Sequence, residues 1–248
     1  MTKMYFVTGT DTEVGKTVVS CALLQAAGYQ GLNTVGYKPV ASGSELTADG
    51  LRNSDALLLQ ANSRVKLPYE AINPIVFEAP TSPHIISEKL NQPIEFSVIN
   101  KGLAYFKSQA DWLLVEGAGG WYTPLSVEKT YADWVIEQQL PVILVVGVKL
   151  GCINHALLTM ESIEAAGLPV AGWVANEVEP AGIFQEQYLS TLNRMIKAPC
   201  LGVIPHQKTL NGKLGSYLDL SLLTIWLYKN INTFPQATLN AWGWSIVK

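Results

Sequence analysis

The chain has 248 residues, 48% of them hydrophobic, and a formal charge of −3, which is enough apolar material for one large core without a second domain. With no Lys/Arg block or basic stripe it excludes nucleic acid as an expected partner, and its longest clean apolar run, 141–148, falls far short of the ~20 residues of a spanning helix. Cys21, Cys152 and Cys200 are too scattered for a disulfide framework or a zinc site, and the N-terminal apolar stretch is too short for a signal peptide, so the expectation is a cytoplasmic protein with small buried thiols.

Residues 4–7 predict a first buried strand that runs into Gly9-Thr10-Asp11-Thr12-Glu13-Val14-Gly15-Lys16-Thr17 and then a helix over 16–27. A glycine-rich turn between strand and helix lets backbone N–H groups converge on phosphate oxygens, and the helix N-terminus adds a favourable dipole. Lys16 is spaced to reach terminal phosphates and the Thr17 hydroxyl to take a magnesium site. The five residues between Gly9 and Gly15 make the loop one longer than the common motif.

A second strand over 34–38 ends on Lys38, in Gly36-Tyr37-Lys38-Pro39-Val40-Ala41-Ser42-Gly43, at the same sheet edge as the loop. A cation there can hold developing phosphoryl charge or simply be solvated. Ser42 and Gly43 form a polar turn able to hold a small substrate. Asp55 reads equally as a metal ligand and as a cap for the helix after it. Residues 68–93, rich in proline and weakly periodic, read as a long connection close to the site.

A helix over 97–109 and a strand over 112–115 follow, and Glu116 stands at the tip of that strand, as the second acidic motif of P-loop proteins does. Gly117-Ala118-Gly119-Gly120 then allows close backbone approach. Further on come a helix over 131–139, a strand over 142–146, a helix over 154–166 with Asn154 as a possible cap, and strands over 170–174 and 201–204. This alternation predicts an α/β fold: a doubly wound, mainly parallel sheet with helices on both faces and ligands beyond the carboxyl ends of its strands. The pattern loosens after Leu222, which divides the chain into a single domain over 1–223 and a tail over 224–248. That tail carries Trp226, Trp242 and Trp244 but only Lys229 and Lys248 as cations, so packing on the body is expected rather than membrane binding.

The loop, together with Gly36-Tyr37-Lys38-Pro39-Val40, Pro80-Thr81-Ser82-Pro83-His84, Val115-Glu116-Gly117-Ala118-Gly119-Gly120 and Val174-Ala175-Asn176, resembles the dethiobiotin synthetase family of P-loop enzymes. The resemblance implies an ATP-dependent ligase that carboxylates 7,8-diaminopelargonate with CO2 or bicarbonate. It closes a ureido ring through a carbamate and a carbamic–phosphoric anhydride, as a homodimer using Mg2+. On the same resemblance Lys38, Lys16 and Thr12 are catalytic, and Thr17, Asp55 and Glu116 hold the metal. Nucleotide contacts come from Glu13, Val14, Gly15, Lys16, Thr17 and Val18, then Asp55, then Glu116, Gly117, Ala118 and Gly119. Asn176 and Glu177 take the adenine edge, with Pro205, His206 and Gln207 beyond it.

Substrate contacts implied by the family are Thr12, Lys38 and Ser42 and, across a dimer interface, Gly151, Cys152, Ile153, Asn154 and Tyr188. Helix N–H groups at that last cluster suit a carboxylate, although local sequence alone reads it as a capped helix and nothing more. Two rivals share the sheet. A P-loop switch ATPase that positions partners or binds membranes usually has an extra lysine early in its loop, where Thr10 and Asp11 stand here. A glutamine-dependent amidoligase needs a glutaminase domain and a cysteine nucleophile, for which this chain has neither room nor setting.

Overall fold

The computed structural model describes residues 2–207, 212–230, 234 and 236–242, with the backbone alone for 226–230, 237 and 241. Strand β1 (Lys3–Gly9) leads into helix α1 (Lys16–Tyr29) and then β2 (Thr34–Tyr37). A run of small elements follows: β3 (Val40–Ala41), the hairpin β4 (Glu45–Thr47) and β5 (Gly50–Arg52), helix α2 (Ser54–Asn62), the single turn α3 (Tyr69–Ile72), β6 (Ile75–Val76) and α4 (Pro83–Leu90). The large alternation then resumes with α5 (Phe96–Phe106), β7 (Trp112–Gly120), α6 (Tyr131–Gln138), β8 (Val142–Gly147) and α7 (Cys152–Ala165). After these come β9 (Val170–Asn176), α8 (Gln185–Met195), β10 (Cys200–Ile204), a 3-10 turn at Leu214–Tyr217, α9 (Ser221–Asn230) and α10 (Gln236–Ala241).

Six strands form the main sheet in the order β10-β9-β8-β1-β7-β2, with every pairing parallel. Its strands read as unbroken apolar runs because both faces are covered. Met4 and Phe6 enter one core cluster and Tyr5 and Val7 the other, and β7 alternates likewise with Leu113 and Val115 against Trp112 and Leu114. The doubly wound expectation therefore holds, and the strands predicted at 4–7, 34–38, 112–115, 142–146, 170–174 and 201–204 all form.

Other expectations are corrected. Residues 68–93 are not a bare connection: α3, β6 and α4 lie inside them, elements too short to show a period. Asn154 does not cap α7; the cap is Gly151 in a left-handed conformation, with no side-chain cap bond, and Asn154 sits inside the first turn. Within the tail, Trp242 is buried against Phe234 and donates its indole N–H to the Gln139 carbonyl. Trp244 and Lys248 lie outside the described residues, as do the side chains of Trp226 and Lys229. No helix among the described residues is long and apolar enough to cross a membrane.

Strand β2 delivers Lys38 to the sheet edge, and it does so beneath two helices. A Cβ placed on Gly36 would meet Leu24 Cδ1 at 2.8 Å on α1 and Leu59 Cβ at 3.0 Å on α2, so only glycine lets both helices close on this strand. Gly36→Ala is expected to destabilise the protein by about 1–3 kcal/mol through overpacking; a denaturation midpoint equal to that of the parent protein would show the helices yield freely.

Candidate active site

The site grows from the loop between β1 and α1. Val14 turns its side chain inward, where a Cβ on Gly9 would meet it at 2.5 Å and one on Gly147 at 2.9 Å, so two glycines make room for this one anchor. The loop bends back through Glu13 at φ +60° and Gly15 at φ +84°. The first is a left-handed conformation unusual for a side-chain-bearing residue, and its strain is held by the anchor beside it. Gly15 admits Asn176, whose Nδ2 donates to the Val14 carbonyl at 3.0 Å and would lie 2.0 Å from a Cβ at Gly15. Lys16 Nζ donates to the Asp11 carbonyl at 3.0 Å, and Asp11 accepts from the Thr12 N–H at 2.7 Å.

Next to the loop lies a buried charge cluster. Glu116 is fully buried, and its Oε1 accepts from Lys38 Nζ at 2.7 Å and from the Thr17 hydroxyl at 2.8 Å. Lys38 Nζ also donates to Asp55 Oδ2 at 3.1 Å and to the Gly117 carbonyl at 3.3 Å. Asp55 enters from the first turn of α2, a helix capped by Asn53, which leaves the aspartate side chain to face Lys38. Two lysines and two carboxylates thus share one small volume.

Burial opposes the charge on Lys38, but Glu116 and Asp55 outweigh it and hold its pKa above the ordinary value. Burial likewise opposes the charge on Asp55, and Lys38 outweighs it, keeping the carboxyl below its usual range. The stabilisation from Lys38 is present below its unfolded pKa and lost as pH rises through the raised folded value. That from Asp55 is present above its unfolded pKa and lost as pH falls through the depressed one. Lys16 goes the other way: burial, then the charge on Lys38, lowers it to about 8.

Three cavities meet here. One of about 380 Å3 is lined by Thr12, Lys16, Thr17, Lys38, Ser42 and Asp55 among others. A second, of about 500 Å3, shares Thr12, Glu13 and Ser42 with it and continues to Pro80-Thr81-Ser82-Pro83 and Thr123. A third, of about 180 Å3, runs past Gly15 and Val18 to Asn176, Glu177, His206 and Gln207. Glu13 lies on the wall of all three.

Ala118 and Gly119 line the first two cavities, while Gly151, Cys152, Ile153, Asn154 and Tyr188 line none of the three. Cys152 is buried, and Gly151 and Asn154 are exposed. The turn before α7 reaches the loop through Lys149, 3.6 Å from Asp11. Thr81, Ser82 and Thr123 were absent from the expected site, although the Pro80-Thr81-Ser82-Pro83 motif had carried part of the resemblance. Pro205 lies beside the third cavity through Gln207, which donates to its carbonyl at 3.0 Å, and 208–211 lie outside the described residues.

A phosphate loop after the first strand of a parallel sheet, with a buried acid one strand over, defines a P-loop nucleotide-binding protein. A family model described as "AAA domain" matches residues 3–213. The chain is 62% identical over 225 residues to the ATP-dependent dethiobiotin synthetase BioD 1 of Escherichia coli strain K12, covering 90% of this chain and all of that one. It is 61% identical over 230 residues to the ATP-dependent dethiobiotin synthetase BioD of Yersinia pestis bv. Antiqua strain Angola, covering 90% and 96%. The chain belongs to the ATP-dependent dethiobiotin synthetase family, a family of ligases. Among solved structures it resembles a ParA family ATPase from Chlorobium tepidum TLS, with a TM-score of 0.54, 14% identity and 93% and 97% of the two chains covered. That likeness is one of fold.

Bound phosphates favour the charged form of Lys16, so above about pH 8 nucleotide binding must take up a proton. Nucleotide affinity is therefore expected to fall as pH rises through about 8, by up to about tenfold per unit, in calorimetric titrations from about pH 7 to about pH 10. A flat profile would mean that Lys16 keeps its proton throughout.

Proposed function

We propose that the chain makes dethiobiotin from 7,8-diaminopelargonate, CO2 and ATP. The observation that carries this reading is the buried Lys38, shared by Glu116 and Asp55 where the phosphate-loop cavity opens into a second cavity. That second space gives an acceptor room beside the phosphate loop.

In the proposed reaction one amine of the diamine adds to CO2 and loses a proton, giving a carbamate. A carbamate oxygen then attacks the γ-phosphorus in line, the bond to the bridging oxygen breaks, and ADP departs. The second amine attacks the carbonyl carbon of the mixed anhydride, phosphate leaves, and the ring is closed. Both partners of the phosphoryl transfer are anions. Lys16 in the loop and Lys38 beside it offset their repulsion and spread the charge that builds on the transferred group. Thr12 and Ser42, on the wall common to both cavities, orient the carbamate.

The donor set suits magnesium. Glu116 Oε2 is buried with no hydrogen-bond partner among the described residues, and with the Thr17 hydroxyl and Asp55 it offers the hard oxygens that this ion takes alongside phosphates. When bound, the ion neutralises phosphate charge and fixes the nucleotide's orientation. Asn176 supplies an amide at the adenine end, already oriented by its bond to Val14.

A homodimer is part of the proposal, because Gly151, Cys152, Ile153, Asn154 and Tyr188 need another surface to form a carboxylate site. The exposed apolar side chains of Leu150, Leu158, Ile183 and Phe184, on or next to α7 and α8, favour such a contact. Residues 1–223 are read as the catalytic domain and 224–248 as an appended tail.

Purified protein given diaminopelargonate, bicarbonate, Mg2+ and ATP is expected to yield ADP and a cyclic urea in equal amounts; ATP turnover indifferent to the diamine would sink the reading. Lys38→Ala is expected to lower turnover by about 10²-fold or more while nucleotide affinity stays within a few-fold. The same variant leaves Glu116 buried without its cation, so it should also lose about 3–5 kcal/mol of stability. Near-normal turnover would remove Lys38 from the chemistry.

A further inference from the structure

We propose that Tyr69 and Asn73, which touch none of the three cavities, are positioning residues that set Lys38 and Asp55 relative to each other. The inference rests on the proposed roles of those two residues. Lys38 lies just past the end of β2 and Asp55 in the first turn of α2, with a hairpin between them in sequence, so nothing local fixes their spacing.

Beyond the direct contact of their side chains at 3.1 Å, what joins their backbones is a buried chain of hydrogen bonds. The Tyr69 hydroxyl accepts from the Asn53 backbone N–H at 2.7 Å and donates to Asn73 Oδ1 at 2.7 Å. Asn73 Nδ2 donates in turn to the Lys38 carbonyl at 2.7 Å and to the Ile75 carbonyl at 3.3 Å. On the other side Asn53 Oδ1 accepts from Ala56 N–H at 3.2 Å and so caps the helix that carries Asp55, while its Nδ2 reaches the Ser42 carbonyl at 3.4 Å. The Lys38 N–H completes the circuit by donating to the Ile72 carbonyl at 2.9 Å.

Tyr69, Asn73, Asn53 and Lys38 are all at least nine-tenths buried, so water does not replace a missing member. The short helix α3 thus adds, through the Tyr69 hydroxyl, a backbone tie between the lysine end of a strand and the aspartate end of a helix. Its outer face is held by Arg52, stacked 4.2 Å from the Tyr69 ring centre and paired with Glu70 at 2.9 Å.

Packing alone predicts a different outcome from positioning. Tyr69→Phe keeps the ring in the core and removes only the oxygen. Expected are a fall in kcat of about tenfold and a rise of about tenfold in the Mg2+ concentration for half-activation, with metal-free ADP affinity unchanged. Mn2+ binding to the enzyme–ADP complex, followed by electron paramagnetic resonance, should weaken in parallel. Ile163→Val, a remote core substitution, serves as the stability control and should alter neither reading.

Should Tyr69→Phe fail to fold, Asn73→Ser breaks the same chain at its other end and carries the same expectation. Loss of thermal stability with normal kcat and normal metal affinity would overturn the proposal. Asp55→Asn separates the two levels of the argument. Unchanged metal affinity there rejects the metal role of Asp55, whereas weakened affinity there beside normal affinity in Tyr69→Phe rejects the positioning role.

Discussion

Burying Glu116 completely is the costly act on which this site depends, since removing a carboxylate from water costs several kcal/mol after relaxation. Lys38 and Thr17 offset that cost through one oxygen of the carboxylate. The arrangement tolerates little error in the sheet. Register pairs Val7 with Glu116 and Tyr37 with Val115, which brings Lys38 level with Glu116 on the face that α1 covers. A slip of one residue in either strand would turn its charged side chain to the opposite face, among Phe6, Tyr37 and Val115, and part the pair. The aromatic and branched residues of β1, β2 and β7 therefore do more than fill a core: they hold a charge pair in alignment.

The phosphate loop obeys a related logic. Its extra residue would loosen a turn of this kind if it pointed to solvent, but Val14 points inward and is gripped between Gly9 and Gly147. With that anchor fixed, Glu13 is forced into a left-handed conformation on the wall common to all three cavities. Asn176, at the end of β9, closes the loop from the far side. The glycines at 9, 15 and 147 are thus explained by three different close approaches.

The sheet was legible in the sequence because a strand covered on both faces cannot hide its apolar run, and the loop was legible because its residues sit in one stretch of chain. Asp55 was not separable from a helix cap, since both readings place an acid in a first turn; only the bond from Ala56 to Asn53 shows that the cap is already supplied. Asn154 misled for the converse reason: it is a good capping residue, but Gly151 begins the helix earlier in a conformation that propensity does not reveal. The contacts of Tyr69 and Asn73 left no trace at all. They run from side chains to backbone groups far away in sequence, and α3 and β6 are too short to announce themselves by period.

A ParA-like ATPase and this ligase family share a sheet, so the difference between them has to lie in what is attached to it. Here the segment between β2 and β7 supplies Lys38, Ser42, Asp55 and the Pro80-Thr81-Ser82-Pro83 wall, while the segment around β1 supplies the phosphate loop. Two different stretches of chain thereby face each other across the cavities, and Glu116 links them by accepting from Thr17 on one side and Lys38 on the other. At such a meeting point the buried carboxylates need their cations close by, because an unpaired buried charge is costly. Two lysines face two carboxylates there, and Lys16, whose pKa is lowered to about 8 first by burial and then by the charge on Lys38, is the cation that phosphate would stabilise most.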